Sequence, residues 1–269
     1  MNKTVLLAGC GNMGFAMLSG WIKSGALRPA DVTVVEPNEM LRDRVAAMGV
    51  VAFTSVSEVS GDVHPGVIVI AVKPQVMGDV LPGYKRFSES TFLSIAAGIG
   101  IKFFLSHLGE NTPIIRCMPN TPAAIGKGML VYCQNAAVSD GTEIFVRELL
   151  SKSGRVAKVA QESLIDAVTA VSGSGPAYVF HFIECLTEAG VSAGLPRNVA
   201  DELAMQTVMG AGALAAESAD TPTKLREQVT SPNGTTAAAL AVLMGGDKLK
   251  NLVGEAVEAA RIRSVELGA

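Results

Sequence analysis

The glycine turn near the N-terminus constrains the fold of this chain more than any other segment. The apolar run at residues 4–8 leads into Gly9-Cys10-Gly11-Asn12-Met13-Gly14, and helical spacing follows over residues 13–24. A strand, a Gly-x-Gly-x-x-Gly turn and a helix in this order predict a dinucleotide-binding unit. The three glycines permit the tight turn, the approach of the pyrophosphate and close helix–strand packing. The free amides at the helix start would face the phosphates. The predicted cofactor contacts of the turn are Gly9, Gly11, Asn12, Met13 and Gly14.

Composition and charge exclude two classes of partner. The chain has 269 residues, 49% hydrophobic and 17% charged, so it can bury a large core and exceeds the usual size of one domain. The net charge is −3 and no run of Lys or Arg occurs, which argues against nucleic acid binding. No stretch approaches the roughly 18 apolar residues of a membrane span, and the apolar run before the glycine turn is too short for a signal peptide. We therefore expect a soluble, cytoplasmic protein.

The four cysteines do not form a metal or disulfide pattern. Cys10, Cys117, Cys133 and Cys185 are scattered, without a Cys-x-x-Cys pair or a histidine at ligand spacing. We expect buried thiols in a reducing compartment and no metal site.

Alternating segments over the N-terminal part predict a parallel sheet covered by helices. One helical segment is residues 38–48, and the run at residues 67–72 is apolar on both faces, which is typical of a central strand. Ligands of such sheets bind at the carboxyl ends of the strands. Beyond the first strand, the predicted strands are residues 32–35, 67–72, 91–95, 114–118 and 129–132.

After about residue 161 the pattern becomes helical. From Ile165 to Gly268 there is no convincing strand, and small residues are frequent, as at residues 209–216. So much apolar helix beside a complete sheet domain favours burial against a second copy, so we expect a homodimer. The predicted fold class is α/β, with an N-terminal Rossmann-type NAD(P)-binding domain at residues 1–161. An all-α C-terminal dimerisation and substrate domain follows at residues 162–269.

Glu36 ends the second predicted strand, 22 residues after Gly14. An acid at this position hydrogen-bonds a ribose 2′-hydroxyl and repels a 2′-phosphate, which favours NADH. Asn38, Arg42 and Arg44 follow closely and could reach a phosphate if Glu36 turns away. A solvated acid that begins a loop is the alternative interpretation.

Two further segments follow strands beside the expected crevice, Val72-Lys73-Pro74 and Ala96-Ala97-Gly98. Their place at carboxyl ends predicts that both line the cofactor. A surface cation at Lys73 and a simple turn former at Gly98 are the alternatives.

Three loops rich in turn formers and hydroxyl groups are candidates for substrate binding, at residues 118–122, 172–176 and 231–236. Each precedes a helical pattern, and a hydroxyl cap, a proline in the first turn and exposed amides together suit a carboxylate. Simple helix capping is the alternative for each loop taken alone.

The chain lacks the general base that a hydroxy-acid dehydrogenase needs. No lysine lies between Lys158 and Lys224, and His64, His107 and His181 have no evident carboxylate partner. On its apolar helix face, His181 is expected to be a satisfied core residue. An iminium arrives already protonated and needs only orientation and a hydrogen-bond donor, which a threonine can supply.

Six blocks of the sequence occur in an order typical of one enzyme family, at residues 9–14, 71–74, 94–98, 116–122, 166–169 with 172–178, and 231–236. Through these blocks the chain resembles the pyrroline-5-carboxylate reductase family over essentially its whole length. The resemblance implies reduction of the cyclic imine 1-pyrroline-5-carboxylate to L-proline by NADPH or NADH, the last step of proline biosynthesis. It also implies a dimer with interlaced C-terminal helices that often assembles into decamers.

The resemblance also assigns roles to residues. Ser231, Gly234, Thr235 and Thr236 would form a substrate loop supplied by the neighbouring subunit. Its amides and hydroxyls would hold the carboxylate, with Thr236 at the imine nitrogen. The first long helix would start near the crevice with Ser174 and Gly175, which are predicted substrate contacts. The adenosine and nicotinamide contacts would be Val72, Lys73, Pro74, Ala96, Ala97, Gly98 and Asn120.

Two residues depart from the family pattern. Asn233 stands where the family usually has glycine and could re-aim the loop, although asparagine tolerates left-handed backbone. Glu36 stands where NADPH-using relatives tend to carry small hydroxyl residues, so we expect NADH to be used at least as well as NADPH.

The alternative functions on the same architecture are another imine reductase or a β-hydroxyacid dehydrogenase. From another class, the alternative is a nicotinamide-binding protein without turnover.

Overall fold

The chain divides into two compact units. In the computed structural model, which describes residues 3–268, the first unit runs to Ser174 and includes the residues from Ala260 on, and the second is Gly175–Ala259. The predicted domain boundary between residues 161 and 162 stays a prediction. A compact unit is defined by the contacts within it, and its limits need not coincide with those of a domain. Within the described residues, no helix has the length and apolar character that crossing a bilayer requires.

The first unit is built on one mixed sheet. Its strands are β1 (Val5–Ala8), β2 (Val32–Val35), β3 (Val51–Phe53), β4 (Val67–Ile70), β5 (Thr91–Ser94), β6 (Ile114–Met118), β7 (Gly128–Gln134) and β8 (Gly154–Lys158). They lie in the order β3-β2-β1-β4-β5-β6-β7-β8. All pairs from β3 to β6 are parallel, whereas β7 runs antiparallel to β6 and β8 is parallel to β7.

The expectation of a purely parallel sheet is therefore wrong at β7. The connection from β6 to β7 is residues 119–127, which contain only a short 3₁₀ helix, Thr121–Ile125. A parallel crossover needs a dozen or more residues, so this connection can only reverse the chain direction.

Two strands were missed by the sequence-based prediction. β3 has three residues, all at least partly exposed, and β8 has no buried residue. Both are edge strands, and short or exposed edges give no apolar run to detect.

The central strands carry the core of the first unit. All residues of β1 and β4 are at most 1% exposed, which confirms the predicted central position of the run at residues 67–72. Trp21 is fully buried, and its Nε1 donates to the Leu149 carbonyl oxygen at 3.0 Å, joining two helices across the sequence. The helices are α1 (Asn12–Lys23), α2 (Glu39–Ala46), α3 (Met77–Val80), α4 (Ile101–Leu108), α5 (Asp140–Ser151) and α6 (Leu164–Val168).

The second unit is helical, as predicted. A Cβ added to Gly190 would lie only 3.2 Å from Ala200 Cβ, so small residues do allow two helices to approach closely. Many large apolar side chains on these helices are exposed, among them Phe180 at 58% and Leu214 at 57%. The helices are α7 (Gly175–Ser192), α8 (Arg197–Glu217), α9 (Pro222–Gln228), α10 (Thr235–Met244) and the first part of α11 (Lys248–Gly268).

Candidate active site

The three glycines of the N-terminal turn have distinct surroundings. Gly9 has a φ of +86°, and a Cβ there would lie 2.9 Å from the Ala71 carbonyl oxygen. A Cβ on Gly14 would lie 2.5 Å from the Gly9 carbonyl oxygen. Around Gly11, by contrast, a Cβ would meet no atom within 4 Å. Gly9 and Gly14 are thus required by the fold, whereas Gly11 leaves room for a ligand.

The start of α1 is suited to a diphosphate. The N-cap residue is Gly11, which provides no side-chain cap, and the first turn carries no acidic residue. Uncapped amides at a helix N-terminus bind anions. Asn12 and Met13 line a cavity of about 580 Å³ that Arg44 also borders. The Arg44 guanidinium stacks 3.9 Å from the centre of the Phe15 ring, so a cation stands beside this helix start.

Glu36 is buried and held by backbone. Its side chain is 7% exposed, Oε2 accepts from the Cys10 amide at 2.7 Å, and Oε1 accepts from the Asn38 amide at 2.9 Å. Interpreting it as a solvated loop acid is therefore wrong. Asn38 is the N-cap of α2, where its Oδ1 accepts from the Leu41 amide at 3.2 Å. Glu36 thus joins the glycine turn to the start of α2.

A cavity of about 470 Å³ lies at the carboxyl ends of β1, β2 and β4. It brings together the predicted residues Gly9 and Val72, and its hydroxyl-bearing lining was not foreseen. Thr54, Ser55 and Ser57 follow β3 directly, so recognising that short strand would have identified them. A dinucleotide of this fold places its adenosine at such strand ends. Beside the cavity, Lys73 is exposed and forms the N-cap of the 3₁₀ helix Pro74–Val76, with Pro74 in its first turn.

The turn after β5 lies on a different cavity. Gly98 has a φ of +74°, and a Cβ there would lie 3.1 Å from the Leu267 carbonyl oxygen. Together with Arg116 and Glu162 it lines a cavity of about 290 Å³. Ala96 precedes Gly98 and is 6% exposed. The cavity at Gly9 and Val72 therefore does not include this turn.

Asn120 is engaged within the first unit. Its Oδ1 accepts from the Met129 amide at 2.9 Å, and its Nδ2 donates to Ser172, at 3.1 Å to the carbonyl oxygen and 3.3 Å to Oγ. The amide group has two donors, and both have partners. The predicted cofactor contact at Asn120 would therefore involve its backbone.

The segment at residues 172–176 is helical, so the expected loop is wrong. Thr169–Gly173 is a π-helical turn directly before α7, and the Ser174 amide donates to the Thr169 carbonyl oxygen at 2.8 Å. This hydrogen bond uses the Ser174 amide, so that amide is not open to a carboxylate. The π turn presses Gly173 against the Met118 side chain, where a Cβ would have no space. Such turns are frequent at functional sites.

The segment at residues 231–236 is a loop that ends in a helix start. The Gly234 amide donates to the Ser231 carbonyl oxygen at 3.1 Å, and Gly234 is the N-cap of α10 without a side-chain cap. Asn233 adopts the left-handed conformation with a φ of +61°. Thr235 is exposed and Thr236 is half-buried in the first turn. The helix thus presents open amides and two hydroxyls at its positive end.

Among the described residues, no cysteine or histidine lines the three cavities named above. Burial raises the pKa of the Cys10 thiol to about 12 and that of Cys133 to about 11. Cys117 is also buried, whereas Cys185 is exposed, which corrects the expectation of four buried thiols. His181 was expected to be a core residue without a carboxylate partner. Instead, its Nδ1 lies 3.0 Å from Glu184 Oε2 on an exposed helix face.

Comparison with known proteins confirms the resemblance. Residues 162–267 match the family model described as pyrroline-5-carboxylate reductase dimerisation, and residues 3–98 match the one described as NADP oxidoreductase, coenzyme F420-dependent. The pyrroline-5-carboxylate reductase of Synechocystis sp. is 39% identical over 265 residues and 97% of each chain.

Two solved structures agree over the full length. A pyrroline-5-carboxylate reductase from Coxiella burnetii has a TM-score of 0.94 at 32% identity and covers 100% of both chains. The Plasmodium falciparum pyrroline carboxylate reductase with NADP bound has a TM-score of 0.85 at 31% identity, covering 99% of this chain and 98% of that one. The chain belongs to the pyrroline-5-carboxylate reductase family.

Proposed function

We propose that this protein reduces 1-pyrroline-5-carboxylate to L-proline with NADH or NADPH, the last step of proline biosynthesis. The observation that carries the proposal is family membership over 97% of the chain. The glycine turn agrees with it, because the space at Gly11 and the uncapped start of α1 fit a dinucleotide diphosphate. When bound, the reduced nicotinamide would supply a hydride to the carbon of the C=N bond.

The chain would contribute position more than acid–base chemistry. The open amides at the start of α10 suit the substrate carboxylate, and the Thr236 hydroxyl can donate to the imine nitrogen. Ser231 closes the turn and is exposed, so its hydroxyl is available to the same carboxylate. Orientation of a preformed iminium is a large part of what such a reaction needs.

The proposal includes the assembly and its compartment. We infer a cytoplasmic homodimer in which each loop at residues 231–236 serves the crevice of the other copy, and in which dimers assemble into decamers. All four cysteines are free thiols, which suits a reducing compartment.

The test is substrate-dependent oxidation of NADH and NADPH, followed by the loss of reduced-nicotinamide absorbance, in wild type and in Thr236→Ala. We expect turnover of 1-pyrroline-5-carboxylate by wild type and a loss of about a hundredfold in kcat/KM in the variant, as for a deleted hydrogen-bond donor. Thr236→Ser keeps the hydroxyl and should retain most activity.

Thr230→Ala is the matched control, because Thr230 precedes the loop and its Oγ1 donates to the Arg226 carbonyl oxygen, at 2.6 Å. It should leave kcat/KM within about twofold of wild type, since only a local hydrogen bond is lost. The proposal would be overturned by folded protein that binds NADH or NADPH but oxidises neither cofactor when 1-pyrroline-5-carboxylate is added. A six-membered cyclic imine reduced faster than the five-membered one would favour the imine reductase alternative, with Asn233 as the residue that re-aims the loop.

A further inference from the structure

The turn after β5 is held in place by a residue distant in sequence. α4 begins at Ile101, and its N-cap is Gly100, which has no side chain to cap the helix. Glu162 takes this role, because its Oε1 accepts from the Ile101 amide at 2.8 Å across 61 residues of sequence. A Cβ on Gly100 would lie 3.3 Å from the same oxygen, so glycine lets the carboxylate approach.

Glu162 is itself fixed by a buried cation. Arg116 Nη1 donates to Glu162 Oε1 at 2.9 Å, and the Arg116 side chain is 8% exposed. Among the described residues, its buried Nε has no hydrogen-bond partner. A partly buried ion pair whose cation keeps an unsatisfied donor is a poor source of stability compared with apolar packing. Its presence beside the turn that we expect to contact the cofactor is better explained by positioning.

The opposite side of the turn is closed by the end of α11. A Cβ on Gly98 would lie 3.1 Å from the Leu267 carbonyl oxygen, and one on Gly268 would lie 3.0 Å from the Gly98 carbonyl oxygen. Ser264, 4% exposed, donates to Asp166 Oδ1 at 2.7 Å and anchors that helix end. The backbone at Gly98 therefore contacts the end of α11 on one side and leads directly into the start of α4 on the other.

We propose that Glu162, oriented by Arg116, is a positioning residue for cofactor binding. By capping α4 it sets the backbone of Ala96, Ala97 and Gly98 in the conformation that receives the nicotinamide end of the dinucleotide. This inference rests on the proposed function, in which that turn contacts the cofactor.

The experiment measures the Kd of NADH without substrate, from nicotinamide fluorescence, for wild type, Glu162→Gln and Glu162→Ala. Gln retains an acceptor for the Ile101 amide but loses the ion pair, whereas Ala loses both. We expect Kd to rise in the order wild type, Gln, Ala, reaching about tenfold for Ala, the equivalent of one lost hydrogen bond to a charged group. The KM of the imine should change less than twofold, as expected for a residue that acts through the cofactor turn alone.

Glu143→Gln is the matched control. Glu143 pairs with Lys158 at 2.8 Å on β8, which is an edge strand three places from β5 in the sheet. This substitution should lower the melting temperature without changing the Kd of NADH. Glu162 variants that are destabilised like this control but bind NADH as wild type does would overturn the inference. If Ala fails to fold, the Gln variant decides alone. Wild type that fails to bind NADH and NADPH would instead refute the proposed function.

Discussion

At the scale of single residues, we expect Glu36 to set the preference between NADH and NADPH. Its carboxylate cannot turn away easily, because the amides of Cys10 and Asn38 hold both oxygens and the side chain is 7% exposed. Arg42, the nearby cation, donates from Nη1 to the carbonyl oxygens of Glu36 at 2.9 Å and Pro37 at 2.7 Å. A 2′-phosphate would therefore meet a fixed negative charge while the arginine is already engaged.

We expect wild type to use NADH at least as well as NADPH, and Glu36→Ser to shift the ratio of the two kcat/KM values toward NADPH by at least about tenfold. A tenfold shift of this ratio corresponds to about 1.4 kcal/mol, and removing a negative charge beside a phosphate changes the binding free energy by at least that amount. Side-by-side kinetics with both cofactors measure the ratio. Glu39→Ser, on the exposed first residue of α2, is the matched control and should leave it unchanged. Strong NADPH preference in wild type would contradict the assignment.

Sequence alone singled out Glu36 and the glycine turn as candidates because both stand at a fixed spacing in the strand-turn-helix pattern. It did not reveal that Asn120 bonds to Met129 and Ser172, since these partners lie on other elements. Arg116 and Glu162 were missed for the same reason, as 46 residues separate the two ends of their ion pair.

At the scale of elements, α5 is attached to the outer strands through one carboxylate. Glu143 on α5 accepts from the Tyr132 hydroxyl at 2.7 Å, from Gln134 Nε2 at 2.9 Å and from Lys158 Nζ at 2.8 Å. These hydrogen bonds hold the pKa of Glu143 below its ordinary value, and the one from Lys158 has the largest effect. The ionised form therefore stabilises the folded state.

We expect Glu143→Gln to lower the free energy of unfolding by about 1 kcal/mol at neutral pH, because a charged acceptor becomes a neutral one. The pKa is lowered on folding, so the contribution is complete above the unfolded value near 4.5 and is lost as pH falls through the folded value. Urea unfolding of both proteins at neutral and acidic pH measures this. A difference that persists unchanged at low pH would show that packing, rather than charge, is responsible.

Elements with strong local patterns were predictable from sequence, and those set by connections were not. β1 and β4 are apolar on both faces, and α1 begins within the glycine turn. The direction of β7 depends on the length of residues 119–127, and the π turn Thr169–Gly173 lies against Met118, which is distant in sequence. Neither leaves a periodic trace in the sequence.

At the scale of the whole molecule, the second unit has more apolar surface than a single copy covers. Phe180 is 58% exposed, Met209 57%, Leu214 57% and Leu252 64%. On α8, a Cβ at Gly210 or Gly212 would meet no atom within 4 Å, so these small residues do not serve packing within one chain. Exposed patches of this kind mark interfaces, and the family model that matches residues 162–267 describes dimerisation.

We therefore expect the protein to be at least dimeric in solution, and Leu214→Arg to shift the distribution toward smaller species, because it places a charge on an exposed apolar face that we expect the dimer to bury. Sedimentation velocity over a range of concentrations measures the species. Ile144→Arg is the matched control, since Ile144 is 68% exposed on α5 of the first unit and should leave the mass unchanged. Dimers that persist in both variants would place the interface elsewhere, and a monomeric wild type would contradict the assembly. Under the proposed assembly of decamers from dimers, loss of the dimer in Leu214→Arg should abolish the decamers too.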